Sequence, residues 1–202
     1  MGLSETSHAQ GGKPSGLLGR LVGPFMNMGH RAVYRWALEN AQIAPDAIIL
    51  DVGCGGGQAI KHLVARAPDG QAYGIDHSPE MVRLARRVNW PAIRAGRVEI
   101  VEDSVSTLSF PDEMFDIITA FETIQFWPAL ADDLVEVRRV LKSDGRLIVA
   151  NRYPPADSSW SEFLQLKSAE AYREALQMAG FTQIETDTDS RPGWILVTAR
   201  VA

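Results

Sequence analysis

The chain has 202 residues, a formal net charge of −5 and a hydrophobic content of 46%, which suits one domain with one core. Lys and Arg are scattered, which argues against nucleic acid as a partner because phosphate binding needs grouped cations. No apolar run approaches the ~20 residues needed to span a membrane. A single cysteine excludes an internal disulfide and a Cys-rich metal site. We expect a cytoplasmic protein with no bound metal.

The first 40 residues divide into two parts. Residues 1–15 mix Gly, Ser, His and Lys with almost nothing to bury, so we expect a disordered tail. Residues 16–40 are apolar enough for helices, broken near Gly23-Pro24, yet they precede a sheet that is complete without them. Since they are best buried over the strand ends, we predict that they form a helical lid on a main domain of residues 41–202.

Strand and helix patterns alternate from residue 48 onward. This alternation predicts an α/β fold with a mostly parallel sheet and helices on both faces. The last two strands have no helix between them, so one of the seven strands is expected to run antiparallel. An Asp144-Gly145 turn is expected to lead into the fifth strand. The first predicted strand ends at residue 51, and the other six cover residues 72–76, 97–102, 115–121, 146–151, 182–186 and 194–201.

A glycine-rich turn follows the first strand. The apolar run of residues 48–50 ends in Asp51, and Gly53, Gly55 and Gly57 come at alternate positions before a helical pattern begins. Glycines adopt positive φ and lack a Cβ atom, so a ligand can lie against bare backbone. The first amides of the following helix also face that ligand. The segment therefore predicts a nucleotide-binding loop.

Two classes of cofactor use such a loop. A dinucleotide fingerprint reads G-x-G-x-x-G/A, and its third position would be Gln58 here, which fits poorly. A carboxylate at Asp51 would repel a pyrophosphate and attract a cation, since opposite charges ~4 Å apart gain roughly 4 kcal/mol at an intermediate dielectric. S-adenosylmethionine carries an ammonium and a sulfonium on an adenosine, so it is the cofactor that we predict.

Two further motifs carry a resemblance to a known family. They are Met26-Asn27-Met28-Gly29-His30 and Phe121-Glu122-Thr123-Ile124-Gln125-Phe126-Trp127-Pro128. With the glycine loop, they make the chain similar to the class I S-adenosylmethionine-dependent methyltransferases, of the small UbiE-like (methyltransferase type 11) kind. The likeness runs from about Gly16 to the C-terminus. It implies a Rossmann-like methyltransferase fold for the main domain and a small-molecule acceptor.

The candidate cofactor-binding residues lie at the strand ends. Asp51 favours the ammonium, and the three loop glycines pack against the methionine and ribose parts. Asp76 accepts the ribose hydroxyls or, alternatively, caps the next helix. After the third strand, Ser104 stands where the family usually has the acid that holds the adenine amino group. Besides Ser104, the other candidate cofactor-binding residues are His77, Asp103, Val105, Ala120 and Glu122.

The candidate acceptor-binding residues come from the N-terminal segment and from the segment after the fourth strand. They are Asn27, His30, Gln125, Phe126 and Trp127. Asn27 and His30 lie one helical turn apart, and aromatic faces attract a sulfonium, although core packing explains the aromatic residues equally well. For a hydroxyl acceptor, His30 or Glu122 is the candidate general base. A thiolate or carbon nucleophile needs none.

We therefore predict methyl transfer from S-adenosylmethionine to a small molecule by in-line displacement, in a monomer or homodimer. Two alternatives remain open. One is a non-catalytic or repurposed S-adenosylmethionine-binding protein, because cofactor binding and transfer use the same loops. The other is an NAD-type oxidoreductase, which Asp51 and Gln58 disfavour.

Overall fold

One seven-stranded sheet organises the chain in a computed structural model, which describes residues 31–39, 41–152, 164–188 and 190–201. The strands are β1 (Ile48–Val52), β2 (Gln71–Asp76), β3 (Val98–Glu102), β4 (Phe115–Phe121), β5 (Leu141–Arg152), β6 (Phe181–Asp187) and β7 (Trp194–Val201). Their order is β3-β2-β1-β4-β5-β7-β6. Strands β1 to β5 are parallel, whereas β7 is antiparallel to β5 and β6. The predicted mostly parallel sheet with one antiparallel strand is confirmed.

Helices cover both faces of this sheet, as predicted. They are α1 (residues 31–39), α2 (Gln58–Arg66), α3 (Pro79–Val88), α4 (Trp90–Arg94), α5 (Leu130–Val140) and α6 (Ala169–Met178). On one face, Trp36 of α1 and Leu63 of α2 belong to a core cluster that includes Ile148 of β5. On the other face, Leu134 of α5 and Tyr172 of α6 pack in a second core cluster. None of the described helices is long and apolar enough to cross a membrane.

The strand order places the candidate site. Strand β1 lies between β2 and β4, so the chain crosses to opposite sides of β1 at this point. Ligands of open α/β sheets bind beyond the carboxyl ends of the strands at such a switch point. The ends of β1, β2 and β4 bring Asp51, Asp76 and Glu122 to one edge of the sheet.

Strand β5 begins earlier than the sequence indicated. Its pairing with β4 joins Phe115 to Leu141 and then Ile117 to Arg146, so β5 carries extra residues between these two pairs. Asp144 has a φ of 62°, which lies in the left-handed region. The predicted Asp144-Gly145 turn is therefore an irregularity inside a longer strand, and the prediction of a strand beginning at Arg146 was wrong.

The N-terminal predictions fall largely outside the described residues. These include the tail of residues 1–15 and most of the lid segment, of which only 31–39 is described, as helix α1. This helix buries Val33, Trp36 and Leu38 against the sheet face, with at most 3% of each side chain exposed.

Candidate cofactor and acceptor site

The glycine loop joins β1 to α2. Gly53, Gly55 and Gly57 have φ values of 71°, 51° and 74°, all in the left-handed region. A Cβ atom on Gly53 would lie 2.1 Å from Oγ1 of Thr123, and one on Gly57 would lie 2.6 Å from Nδ2 of Asn89. Glycine is therefore required at these two positions both by backbone conformation and by close packing.

Asp51 lies at the end of β1, buried in the sheet with 2% of its surface exposed. The Oγ1 atom of Thr119 in β4 donates a 2.6 Å hydrogen bond to its Oδ1 atom. Burial raises the pKa of Asp51 to about 7, against the hydrogen bond from Thr119, and the charge of Asp76 raises it further. Asp51 makes no ion pair with any described residue. A ligand cation beside this carboxylate would favour its charged form.

Asp76 holds the glycine loop and the start of α3 together. Its Oδ2 atom accepts a 2.9 Å hydrogen bond from the amide of Gly55, and its Oδ1 atom accepts one of 2.9 Å from the amide of Ser78. Burial raises its pKa, against these two bonds. The carboxylate thus holds Ser78, the residue before α3, beside the glycine loop. Binding of the ribose remains a prediction, and His77 next to it is exposed.

Cys54 lies between two loop glycines and is buried, with 8% exposed. Its amide donates to the carbonyl of Ile75 in β2 at 2.8 Å, which ties the loop to the neighbouring strand. Burial raises the pKa of the thiol well above its usual value, and the charges of Asp76 and Asp51 raise it further. A thiol held in its protonated form is a weak nucleophile, so Cys54 serves the loop as a packed spacer.

The loop after β3 is ordered by its own side chains. Asp103 accepts hydrogen bonds from the amides of Ser104 at 2.8 Å and Ser109 at 2.9 Å, one on each carboxylate oxygen. The hydroxyl of Ser104 accepts from the amide of Ser106 at 3.3 Å. Val105 packs into the core. Asp103 therefore shapes this loop, and contact of Asp103, Ser104 or Val105 with adenine remains a prediction.

Glu122 follows β4 and is fixed by an ion pair that the sequence did not reveal. It has a φ of 60° and is 9% exposed. Its Oε1 atom accepts a 2.5 Å hydrogen bond from the amide of Arg152, and its Oε2 atom accepts from Nη2 at 2.8 Å and Nε at 3.1 Å of the same residue. Arg152 is the last residue of β5, the neighbouring strand. Action of Glu122 as a general base would therefore require this pair to open.

The residues after Glu122 include two buried polar atoms. Nε2 of Gln125 donates to the carbonyl of Glu122 at 2.9 Å, which leaves its Oε1 atom buried without a partner in the described part of the chain. Nε1 of Trp127 is also buried and unpartnered among these residues. Trp127 is 3% exposed and packs in the core with the fully buried Ala120, whereas Phe126 is half-buried. Cofactor contact for Ala120 and acceptor contact for Gln125, Phe126 and Trp127 remain predictions.

Helix α1 reaches the same edge of the sheet. The ring of Tyr34 lies 5.4 Å from that of His62 in α2 and 6.4 Å from that of Phe121 at the end of β4, measured between centroids. The described part of the predicted lid therefore contacts both the helix after the glycine loop and the end of β4. Asn27 and His30 precede the described residues.

Known proteins share sequence with this chain. A family model described as "Methyltransferase domain" matches residues 50–149. The ubiquinone/menaquinone biosynthesis C-methyltransferase UbiE of Geotalea daltonii is 33% identical over 120 residues, which cover 59% of this chain and 51% of that protein. The chain thus spans about half the length of this curated relative.

Solved structures share the fold. One chain of a complex between a Haloferax volcanii methyltransferase activator and a methyltransferase superposes with a TM-score of 0.76 at 23% identity, covering 89% of this chain and 93% of that chain. A SAM-dependent methyltransferase from Aquifex aeolicus superposes with a TM-score of 0.71 at 21% identity, covering 84% and 89%. These likenesses confirm the Rossmann-like methyltransferase fold. The domain match and the relative support a class I S-adenosylmethionine-dependent methyltransferase of the UbiE-like type, for which S-adenosylmethionine is the cofactor.

Proposed function

We propose that this protein transfers a methyl group from S-adenosylmethionine to a small-molecule acceptor. The observation that carries the proposal is the buried carboxylate of Asp51, which lies directly before the left-handed glycine loop and has no cationic partner among the described residues. A buried carboxylate without a cation is costly. A ligand that brings an ammonium to this edge would offset the cost, whereas a pyrophosphate would increase it.

The residues of the site fit this cofactor. Asp51 would attract the ammonium, the glycine loop would lie against the methionine and ribose parts, and Asp76 would accept from the ribose hydroxyls. When bound, the cofactor supplies a methyl group activated by a positively charged sulfur. The protein's part is to hold the acceptor in line with that methyl group and to exclude water, which together supply most of the rate enhancement in such transfers.

The acceptor that we propose is a small aromatic molecule of the quinone type. The support is the name of the Geotalea daltonii relative, a C-methyltransferase of ubiquinone and menaquinone biosynthesis. Phe126 is a half-buried aromatic residue after β4, at the edge where the acceptor is proposed to bind. An electron-rich ring carbon is itself nucleophilic, so formation of its bond to the methyl group needs no prior deprotonation by Glu122. The ring proton is then lost to water, which restores the aromatic ring while Glu122 stays paired with Arg152.

Two measurements test the proposal in order. Calorimetric titration with S-adenosylhomocysteine and with NAD, each on the full chain, tests cofactor choice, and binding of NAD alone would overturn it. Single-turnover transfer of labelled methyl to a short-chain demethylated menaquinol and to a cell metabolite extract then tests the reaction. Label in the menaquinol supports the quinone class, and label in the extract alone supports transfer to another acceptor. Cofactor binding without transfer to either would support the non-catalytic alternative.

A further inference from the structure

A cleft of about 270 Å³ lies on the edge of the sheet opposite to the glycine loop. It is lined by residues at the amino ends of β1, β4 and β5 and at the carboxyl end of the antiparallel strand β7. The proposed methyl transfer takes place at the other edge and leaves this cleft without a role. Its charged lining residues are Asp46, Asp116, Lys142, Asp144, Arg146 and Arg200.

Two arginines of the cleft lie side by side on neighbouring strands. Arg146 of β5 and Arg200 of β7 are directly opposite in the antiparallel register, so their side chains leave the same face of the sheet. Like charges in directly opposite positions are destabilising. Both residues are partly buried, so water screens this repulsion only in part.

Neither arginine is neutralised by a carboxylate of the described residues. Nη2 of Arg146 donates to the backbone carbonyl of Gln42, and Nη1 of Arg200 donates to the backbone carbonyl of Asp144 at 2.9 Å. These carbonyls satisfy one donor on each guanidinium and leave the two positive charges uncompensated.

The acids that line the cleft do not supply the missing charge. Asp116 accepts from Nζ of Lys142 and from the amide of Ile48, each at 2.8 Å, so its charge is already paired. Asp46 and Asp144 are exposed to water. Burial lowers the pKa of Arg146 and the charge of Arg200 lowers it further, which agrees with a positive local field.

We propose that Arg146 and Arg200 form a binding site for a small oxyanion, a phosphate or carboxylate group. Guanidinium groups present planar pairs of N–H donors that match the oxygens of both groups. An anion between the two arginines would remove their repulsion and take up the donors that the carbonyls leave free. A cleft of this volume admits a small metabolite or inorganic phosphate.

The test is thermal melting of the full chain against phosphate, succinate and chloride at matched ionic strength, with and without saturating S-adenosylhomocysteine to keep anions off the glycine loop. Phosphate or succinate should raise the melting temperature saturably above chloride. Arg200→Gln and Arg146→Gln should each weaken the apparent affinity at least tenfold, while Arg83→Gln, the same charge change at an exposed position of α3, should not. The more effective anion identifies the group.

Two results would overturn the site: no saturable effect of either anion on the native chain, or an equal effect in Arg200→Gln. If neither arginine variant folds, titration of the arginine Nε–H resonances of the native protein replaces them. In that experiment, two arginine resonances should move together with phosphate or succinate, and a spectrum unchanged by both anions would contradict the proposal.

Discussion

Thr119 and Asp51 form a buried hydrogen bond of 2.6 Å between neighbouring strands, donated by the hydroxyl to a carboxylate whose pKa is raised to about 7. One hydrogen bond does not compensate for removing the charge from water. The free protein therefore carries an energetic cost at Asp51 that a bound cation would relieve.

Asp51→Asn should stabilise the protein in the absence of cofactor at pH 8. Burial raises the pKa of this carboxyl to about 7 in the folded protein, from an ordinary value of 3.8. Between these values the unfolded chain loses its proton first, so the stability contributed by this group falls as the pH rises to about 7 and then stays low. Asn does not titrate, so the variant lacks this loss. Its free energy of unfolding should exceed that of the native protein by on the order of 2–4 kcal/mol at pH 8 and by little at pH 4. Thermal melting at both values measures this, and a variant less stable at pH 8 would contradict it.

Binding of S-adenosylhomocysteine should strengthen with pH through Asp51. Its ammonium favours the ionised carboxylate, and the ionised fraction rises as the pH passes about 7. We expect the dissociation constant to fall about tenfold from pH 6 to pH 8, because one pH unit below a pKa reduces the ionised fraction about tenfold. Calorimetry in matched buffers measures this change. Asp51→Asn is the control and should bind more weakly with a flat profile, and a flat profile in the native protein would disprove the contact.

Asp76→Ala should reduce both stability and cofactor affinity. The change removes acceptors for the amides of Gly55 and Ser78, at a cost of about 3–6 kcal/mol for two charge-assisted bonds. It should also weaken binding of S-adenosylhomocysteine roughly 10- to 100-fold through the lost ribose contacts. Asp133→Ala is the matched control, because Asp133 accepts from the amide of Ala129 at the start of α5. That variant should lose stability alone, and the same behaviour in Asp76→Ala would leave Asp76 as a structural cap.

Gly57→Ala should destabilise the protein far more than Gly96→Ala. Both glycines have positive φ, 74° and 69°, so both substitutions carry the left-handed cost of about 1–2 kcal/mol. An added Cβ meets Nδ2 of Asn89 at 2.6 Å and Cβ of Ala85 at 2.8 Å at Gly57, and nothing within 4 Å at Gly96. We expect a difference of at least about 2 kcal/mol from overpacking. Denaturant unfolding measures it, and equal losses would mean that the loop shifts without cost.

Helix α1 should exchange its amide hydrogens more slowly when S-adenosylhomocysteine binds, if residues 16–40 form a lid. The reason is the position of Tyr34 against His62 and Phe121, at the edge where the cofactor is proposed to bind. Hydrogen exchange followed by mass spectrometry covers residues 31–39 together with the segment before them. Helix α5, on the other face of the sheet, is the internal control. Equal exchange with and without ligand would make α1 a fixed helix.

The sheet was predictable from the sequence where its strands are continuous apolar runs. Strand β4 was predicted over residues 115–121, its observed range, because all but one of its residues are apolar or small enough to be buried between two helical layers. Helix α4 was missed because it buries none of its five residues and so shows no periodicity. The start of β5 was missed because Asp144-Gly145 is typical of a turn, and only pairing with β4 continues the strand through it.

The candidate site was predictable in its positions and much less in its pairings. Asp51 and Asp76 were identified as the last polar residues of two apolar strands. The bonds from Thr119 to Asp51 and from Arg152 to Glu122 join different strands. Which residues of two strands lie side by side depends on the register, which a single sequence does not determine. For the same reason the opposition of Arg146 and Arg200 became visible only in the fold.

The buried thiol of Cys54 makes opening of the glycine loop observable without any substitution. The chain has one cysteine, which is buried within the loop, and burial raises the pKa of its thiol well above the usual value. A thiol reagent therefore modifies the native protein only in molecules whose loop has opened, and the modification rate counts those openings. Comparing this rate with and without S-adenosylhomocysteine would show whether the ligand holds the loop closed.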